Sequence, residues 1–316
     1  METKKNDFKK YLIPTALLAS LLIGYKYYKY QWGWKHLVIF SSKSLLSNLE
    51  NSELQCFKNS ETLPSFLESL KTLPEQVFNK YCLNVIYSKE TTSTQTILEN
   101  HFENVSQGIL YVADIQRQGI GRSGNWVSNN GCLMFSFKFE CSAKIALPVQ
   151  MMLPLGIVGA IEKIAADKGI EIPSLKAKWP NDVYLNEKKL SGILVNSKSN
   201  GKLMQMTIGI GINISNKSPF INLNEVYPNI FSKGEVLKEF ISEFSSLVND
   251  TENPGWEKRL TDQYKAKWLH YMKVATLSRD NKPCTIIDIN HEGTIIARDQ
   301  TGTFHKIQAR DDIIFS

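Results

Sequence analysis

From Lys178 to Ser215 the chain is committed to tightly turned β-structure, and that commitment limits the folds open to it. Pro180 imposes a rigid turn that places Asn181 and Asp182 at a strand edge. Seven residues beyond Asp182, Lys189 sits on the next strand, directly before Leu190-Ser191-Gly192. Lys188–Ser197, a Ser199-Asn200-Gly201 turn and Lys202–Ser215 then read as a hairpin, with Asn-Gly as the turn signal. A cation, a carboxylate and a glycine so closely spaced suit a site that binds an anionic ligand and acts on it.

The flanking pattern predicts an α+β body. Leu83–Tyr87 and Ile109–Ile115 read as strands, and Ser93-Thr94-Gln95 precedes a helix over Thr96–Phe102. Leu133, Phe135, Phe137 and Phe139 alternate with Cys132, Met134, Ser136 and Lys138, which predicts a half-buried strand. Residues 149–168 read as the longest helix, with Leu153, Ile157, Ala160, Ile161 and Ile164 on one face. Helices over 234–249 and 255–268 follow. Short strands at Val274–Ser278, Thr285–Ile289, Thr294–Arg298 and His305–Ala309 suggest a small barrel. The expected division is a basic N-terminal segment (1–35), an ancillary region or linker (36–82), a main domain (83–270) and a β module (271–316).

The net charge of +6 hints at a nucleic-acid partner until it is located. Seven lysines against Glu2 and Asp7 put +5 of it in residues 1–40, so the remainder is nearly neutral and no nucleic acid is expected. Five scattered cysteines without CxxC spacing point to a reducing compartment, and the five histidines form no metal-binding pair. Residues 11–25 are uncharged and flanked by lysines, with an aromatic cluster from Tyr25 to Trp34. Fifteen helical residues rise about 22 Å, short of a ~30 Å hydrocarbon layer. A membrane anchor, a cleaved (mitochondrial) targeting segment and a plain N-terminal helix stay open, with the main domain expected in the cytoplasm.

A second block lies upstream: Gln116-Arg-Gln-Gly119-Ile120-Gly121-Arg122-Ser-Gly124-Asn125-Trp126. Its glycines let backbone N–H groups approach an anion, and Arg122 offers a fork for carboxylate or phosphate oxygens. It is not a phosphate-binding P-loop, having no GxxxxGK[ST]. Together with the Lys178–Val195 block and Gly131-Cys-Leu-Met-Phe-Ser-Phe137, in this order, it resembles the biotin protein ligases (holocarboxylase synthetases), with a eukaryotic flavour. That resemblance implies a class II synthetase-like catalytic domain, a mixed sheet packed by helices, followed by an SH3-like β-barrel. It implies ATP, biotin and Mg²⁺ as reactants, and biotin carboxyl carrier domains of carboxylases as acceptors.

The same resemblance assigns residues. Lys189, Arg122 and Asp182 are the expected catalytic groups. Biotin is expected at Ser93, Thr94, Gln95, Gln116, Gly119, Ile120, Gly121, Arg122, Lys189 and Gly192, with Gln95 standing where the family has Asn. Nucleotide is expected at Trp126, Asn181, Asp182 and Asn213, the last in Gly209-Ile-Gly-Ile-Asn213, whose glycines permit close backbone approach. The biotin pocket is expected to be chiefly hydrophobic, built on strands such as Ile193–Val195 and Met206–Ile212. No protein-held metal is expected. Ser93 also reads as a helix N-cap and Asp182 as a turn residue. Two features depart from the family pattern: Ile120 replaces a common Arg or Lys, and the loop is one residue short before Trp126. The alternatives are a lipoate or octanoate ligase and a catalytically silent biotin-binding relative.

Overall fold

The structure, a computed structural model, describes residues 37–41, 69–70, 72–81, 84–101, 107–122, 124–126, 130–201, 203–217, 221–278, 281–308 and 313–315. The segment 1–35 and most of the ancillary region lie outside these residues. The first half runs β1 (Leu37–Ser41), α1 (Glu75–Tyr81), β2 (Asn84–Thr91), α2 (Thr94–His101), β3 (Ile109–Gln116), β4 (Ile120–Gly121), β5 (Gly124–Asn125) and β6 (Cys132–Ser142). Next come α3 (Ala143–Ala146), α4 (Val149–Ala166), β7 (Leu175–Lys178), β8 (Asp182–Leu185), β9 (Lys188–Asn200) and β10 (Leu203–Asn213). The chain continues through α5 (Leu223–Val226), α6 (Lys233–Asp250) and α7 (Trp256–Lys267). It closes with β11 (Val274–Leu277), β12 (Lys282–Ile289), β13 (Ile295–Asp299), β14 (Phe304–Ile307) and β15 (Ile313–Phe315).

Eight strands form one mixed sheet in the order β1-β2-β3-β6-β10-β9-β8-β7. Its parallel pair is β2 with β3, joined by the crossover that contains α2; the other neighbours are antiparallel. Two elements of the region read as ancillary join this body. β1 pairs with β2 from Leu37↔Ser88 to Ser41↔Asn84, and Tyr81 of α1 stacks on Phe139 with ring centroids 6.2 Å apart.

The alternating phenylalanines of β6 explain how the helices attach. Phe135, Phe137 and Phe139 point to one face and meet Phe240 and Phe244 of α6 at centroid separations of 5.3 to 6.2 Å. The strand is not half-buried as its alternation suggests, because Cys132, Met134, Ser136 and Lys138 are buried too. α2 crosses the second face, where Thr94 Oγ1 hydrogen-bonds Ser136 Oγ at 2.8 Å. α4 differs in the same way: Met151, Met152 and Val158 are buried beside the expected face. It is long and apolar enough to span a membrane, yet 72% of it is buried in the protein, as a core helix is. The β9–β10 turn falls one residue later than the Asn-Gly signal, since Asn200 still pairs with Leu203 and Gly201 takes φ +66°.

Residues 274–315 form a five-stranded antiparallel sheet in the order β14-β13-β12-β11-β15. β15, absent from the sequence reading, pairs with β11 and delivers Phe315 against His270, with ring centroids 3.8 Å apart. Trp179, beside the cis Trp179–Pro180 bond, donates from Nε1 to the Gly293 carbonyl at 2.8 Å. The Leu269 N–H donates to the Ala177 carbonyl, also at 2.8 Å. The small sheet therefore buttresses the turn that leads into Asp182.

His270 gives this buttress a pH dependence. Burial, then the charges of Lys178 and Lys273, push its imidazole down to about 4. A folded-state value below the unfolded one means that unfolding takes up a proton, so His270's contribution is intact above about pH 6.5 and is lost as pH falls toward 4. The slope is at most about 1.4 kcal/mol per pH unit. Urea unfolding between pH 7 and 4 should show this loss, and His270→Phe should flatten it; an equal slope in the variant would remove His270 as the cause.

Candidate functional site

The site begins with glycines. In the β9–β10 register Gly192 lies opposite Gly211, and Gly209 follows two residues away on the same face. This bare patch is where the Trp126 indole lies. A Cβ added at Gly211 would stand 2.6 Å from Trp126 Cζ2, and one at Gly192 would stand 2.8 Å from Cζ3. Trp126 reaches the patch from the β4–β5 ribbon, whose end is closed by its own N–H donating to the Gly119 carbonyl at 2.8 Å. Its indole N–H also faces the Cys132 thiol, which burial pushes up to about 12 against the opposing pull of that contact.

A β-bulge brings Lys189 to the same face. Val183 pairs with Ser191 and Tyr184 with Lys189, which leaves Leu190 as an extra residue on β9. Alternation would put Lys189 and Gly192 on opposite faces. The bulge reverses that parity, and a Cβ at Gly192 would stand 3.3 Å from Lys189 Cε. Lys189 Nζ pairs with Asp182 Oδ1 at 2.8 Å and lies 5.9 Å from the Trp126 ring centroid.

The start of α2 supplies the polar end. Thr94 donates to Gln116 Oε1 from its N–H at 2.7 Å and from its hydroxyl at 3.2 Å. Both donors hold the Gln116 carbonyl, so its NH₂ group points the other way, toward the cleft that Gln116 lines. Ser93 begins the helix: its carbonyl accepts from Ile97 N–H at 3.1 Å, and its hydroxyl stands 3.4 Å from Thr96 N. Gln95 Nε2 donates to the Thr207 carbonyl at 2.9 Å and to Glu99 Oε1 at 3.0 Å. Its Oε1 is buried against the bare edge of Gly209, with no protein donor.

Together these groups enclose a cleft of about 480 Å³ of empty space, its open mouth included. The two sequence blocks meet there, since Arg122 and Gly121 line it opposite Asp182, Lys189 and Gly192. Ser93, Thr94, Gln95, Gln116, Ile120 and Trp126 line it as well. Three expected residues do not. Gly119 contributes only the carbonyl held by Trp126. Asn181 turns its amide to the Ile193 carbonyl. Asn213 is buried and accepts from Asn216 Nδ2 at 3.0 Å.

Phe135 and Ser136 line the cleft without having been foreseen. A serine within an apolar alternating strand was the available signal for the second. The lining is also more polar than expected: Phe135, Ile210 and Ile193 share one register on the α6 face, so their side chains turn away, and Leu194, Ile120 and Trp126 are left among hydroxyls, amides and charges. Among the lining residues Asp182 is the one carboxylate, paired with Lys189 at 2.8 Å. A cleft with Gln95 over Gly209 at one end, Lys189 beside Gly192 at the other and the Trp126 indole between them fits an elongated ligand with an anionic terminus.

Residues 87–213 match the biotin/lipoate A/B protein ligase family. The chain is 29% identical to biotin–protein ligase 2 of Arabidopsis thaliana, over 72% of this chain and 74% of that one. It is 31% identical to the chloroplastic biotin–protein ligase 1 of the same plant, over 67% of this chain but only 58% of the relative. The structure superposes on the Aquifex aeolicus biotin protein ligase in complex with biotin and ATP with a TM-score of 0.60 and 26% identity, covering 73% of this chain and 99% of that one. Residues 87–213 are thus a biotin/lipoate protein ligase family domain.

Proposed function

We propose that this protein is an ATP-dependent biotin–protein ligase. The observation that carries the reading is the single cleft that gathers Gln116, Arg122, Trp126, Asp182 and Lys189 from the two separate sequence blocks. A biotin carboxylate oxygen attacks the α-phosphorus of ATP, the bond to the β-phosphate oxygen breaks, and biotinyl-5′-AMP and pyrophosphate form. A lysine amine of the acceptor then attacks the anhydride carbonyl and displaces AMP. The reacting carboxylate and phosphate repel one another, and Lys189 and Arg122 offset that repulsion where charge accumulates. Mg²⁺ enters with the nucleotide as part of the substrate and neutralises phosphate charge; Asp182 is the cleft carboxylate able to face it. Trp126 covers the glycine patch and shields the mixed anhydride from water. Gln95, Thr94, Ser93 and Gln116 are the groups for the ureido ring.

Residues 83–270 are assigned as the catalytic domain, and residues 271–316 as an SH3-like module; the β11–β14 meander with β15 added beside β11 supports the latter. The acceptors are carrier domains of biotin-dependent carboxylases.

The test is biotin-dependent exchange of labelled pyrophosphate into ATP, with lipoate as the competing acid. Exchange with biotin and none with lipoate is expected. Exchange with lipoate alone would move the protein to the lipoate branch, and tight biotin binding without exchange would make it a silent relative.

A further inference from the structure

Gln95 stands where the family has a shorter amide, and the surroundings of this longer side chain form a small network of their own. Its NH₂ group is satisfied twice, by the Thr207 carbonyl at 2.9 Å and by Glu99 Oε1 at 3.0 Å. Glu99 lies one helical turn further along α2, which puts the two side chains on one face. The same Glu99 oxygen accepts from Asn196 Nδ2 at 2.6 Å, across to β9. The Gln95 carbonyl oxygen is the opposite case. Gln95 is only 4% exposed and lines the cleft, yet its Oε1 has no donor from the protein. A Cβ at Gly209 would stand 2.5 Å from that oxygen, so the amide lies directly over the glycine patch.

A buried carbonyl without a donor is costly unless a ligand supplies one. A free glutamine amide could also turn over and present NH₂ instead, since its two ends are nearly the same shape. Two acceptors at the inner end prevent this. Thr207 is backbone and would be present whatever the side chains; Glu99 is the adjustable member, and Asn196 fixes where its carboxylate sits.

We infer that Glu99, held by Asn196, is a positioning residue that keeps the Gln95 carbonyl turned into the cleft to accept from a ureido N–H of biotin. This rests on the proposed reading of the cleft as a biotin site. Glu99 touches no ligand; it selects which end of Gln95 the ligand meets. It also accounts for how the longer amide is accommodated, because the i, i+4 bond draws the side chain back along α2.

The test measures biotin affinity by calorimetry on the full chain, for the parent and for Glu99→Gln, Glu99→Ala and Glu99→Lys, with thermal unfolding of each. Glu99→Gln keeps an acceptor and should bind within about twofold of the parent. Glu99→Ala leaves Thr207 alone and should weaken binding severalfold. Glu99→Lys offers a donor that competes for the Gln95 carbonyl and should weaken binding about tenfold or more. Biotin methylated at the ureido nitrogen lacks the donor, so its weaker binding should be the same in all four proteins. Equal biotin affinity in Glu99→Lys and the parent would overturn the inference. So would losses that track unfolding temperature or appear equally with the methylated analogue. A parent that does not bind biotin would instead overturn the reading of the cleft itself.

Discussion

Lys189→Ala should abolish biotin-dependent pyrophosphate exchange, with a loss of at least about 10²–10³-fold, the usual cost of removing one preorganised group that stabilises developing charge. Two effects act together. The ammonium is lost from the place where carboxylate and phosphate oxygens converge, and Asp182, 2.8 Å away, loses its partner. The second effect leaves a bare carboxylate facing two anionic substrates, so the variant both lacks attraction and adds repulsion. A double variant separates them. Adding Asp182→Asn to Lys189→Ala should recover part of the biotin affinity, because the repulsion is gone, and none of the exchange, because the cation is still missing. The unfolding temperature should barely move, since a partly exposed ion pair contributes little to stability. Exchange within about fivefold of the parent in Lys189→Ala would remove this lysine from the chemistry.

Much of this site was legible because its parts are local in sequence. The Pro180 turn, the spacing from Asp182 to Lys189 and the glycine-rich loop are each contained within a few residues. What the sequence did not display are features that depend on parity and on neighbours. The bulge at Leu190 cannot be seen in the string, yet without it Lys189 would face away from Gly192. Asn181 and Asn213 sit beside site residues in sequence, yet the Ile193 carbonyl and Asn216 engage their side chains, and neither pairing is visible in the string.

The fold shows the same division. Alternation in β6 identified the face toward α6, but burial of its second face depends on α2, which arrives from forty residues upstream. β15 is three residues long and has no pattern of its own; pairing with β11 defines it. The element boundaries that shifted, such as the β9–β10 turn, did so where both sides of the turn can pair.

Gly211→Ala should be nearly as damaging as a change to a charged group, although it adds a single methyl. The new Cβ would stand 2.6 Å from Trp126 Cζ2, far inside normal contact, and the neighbouring strands β6 and β9 leave β10 no room to retreat. The indole must therefore leave the glycine patch. Overpacking of this kind costs about 1–3 kcal/mol, which corresponds to roughly 5- to 150-fold in binding or rate. If Trp126 is the roof over the nucleotide end, the cost should appear in exchange and in retention of the adenylate against hydrolysis, with biotin binding alone less affected. The indole would also become more exposed, which a red shift of tryptophan emission would register. Non-additivity decides whether the ring is the cause. In a Trp126→Ala background the obstructed group is absent, so Gly211→Ala should add little further loss. Fully additive losses would mean that the methyl acts on the sheet or on the ligand directly, and that Trp126 on the Gly192–Gly211 pair is packing without a part in the chemistry.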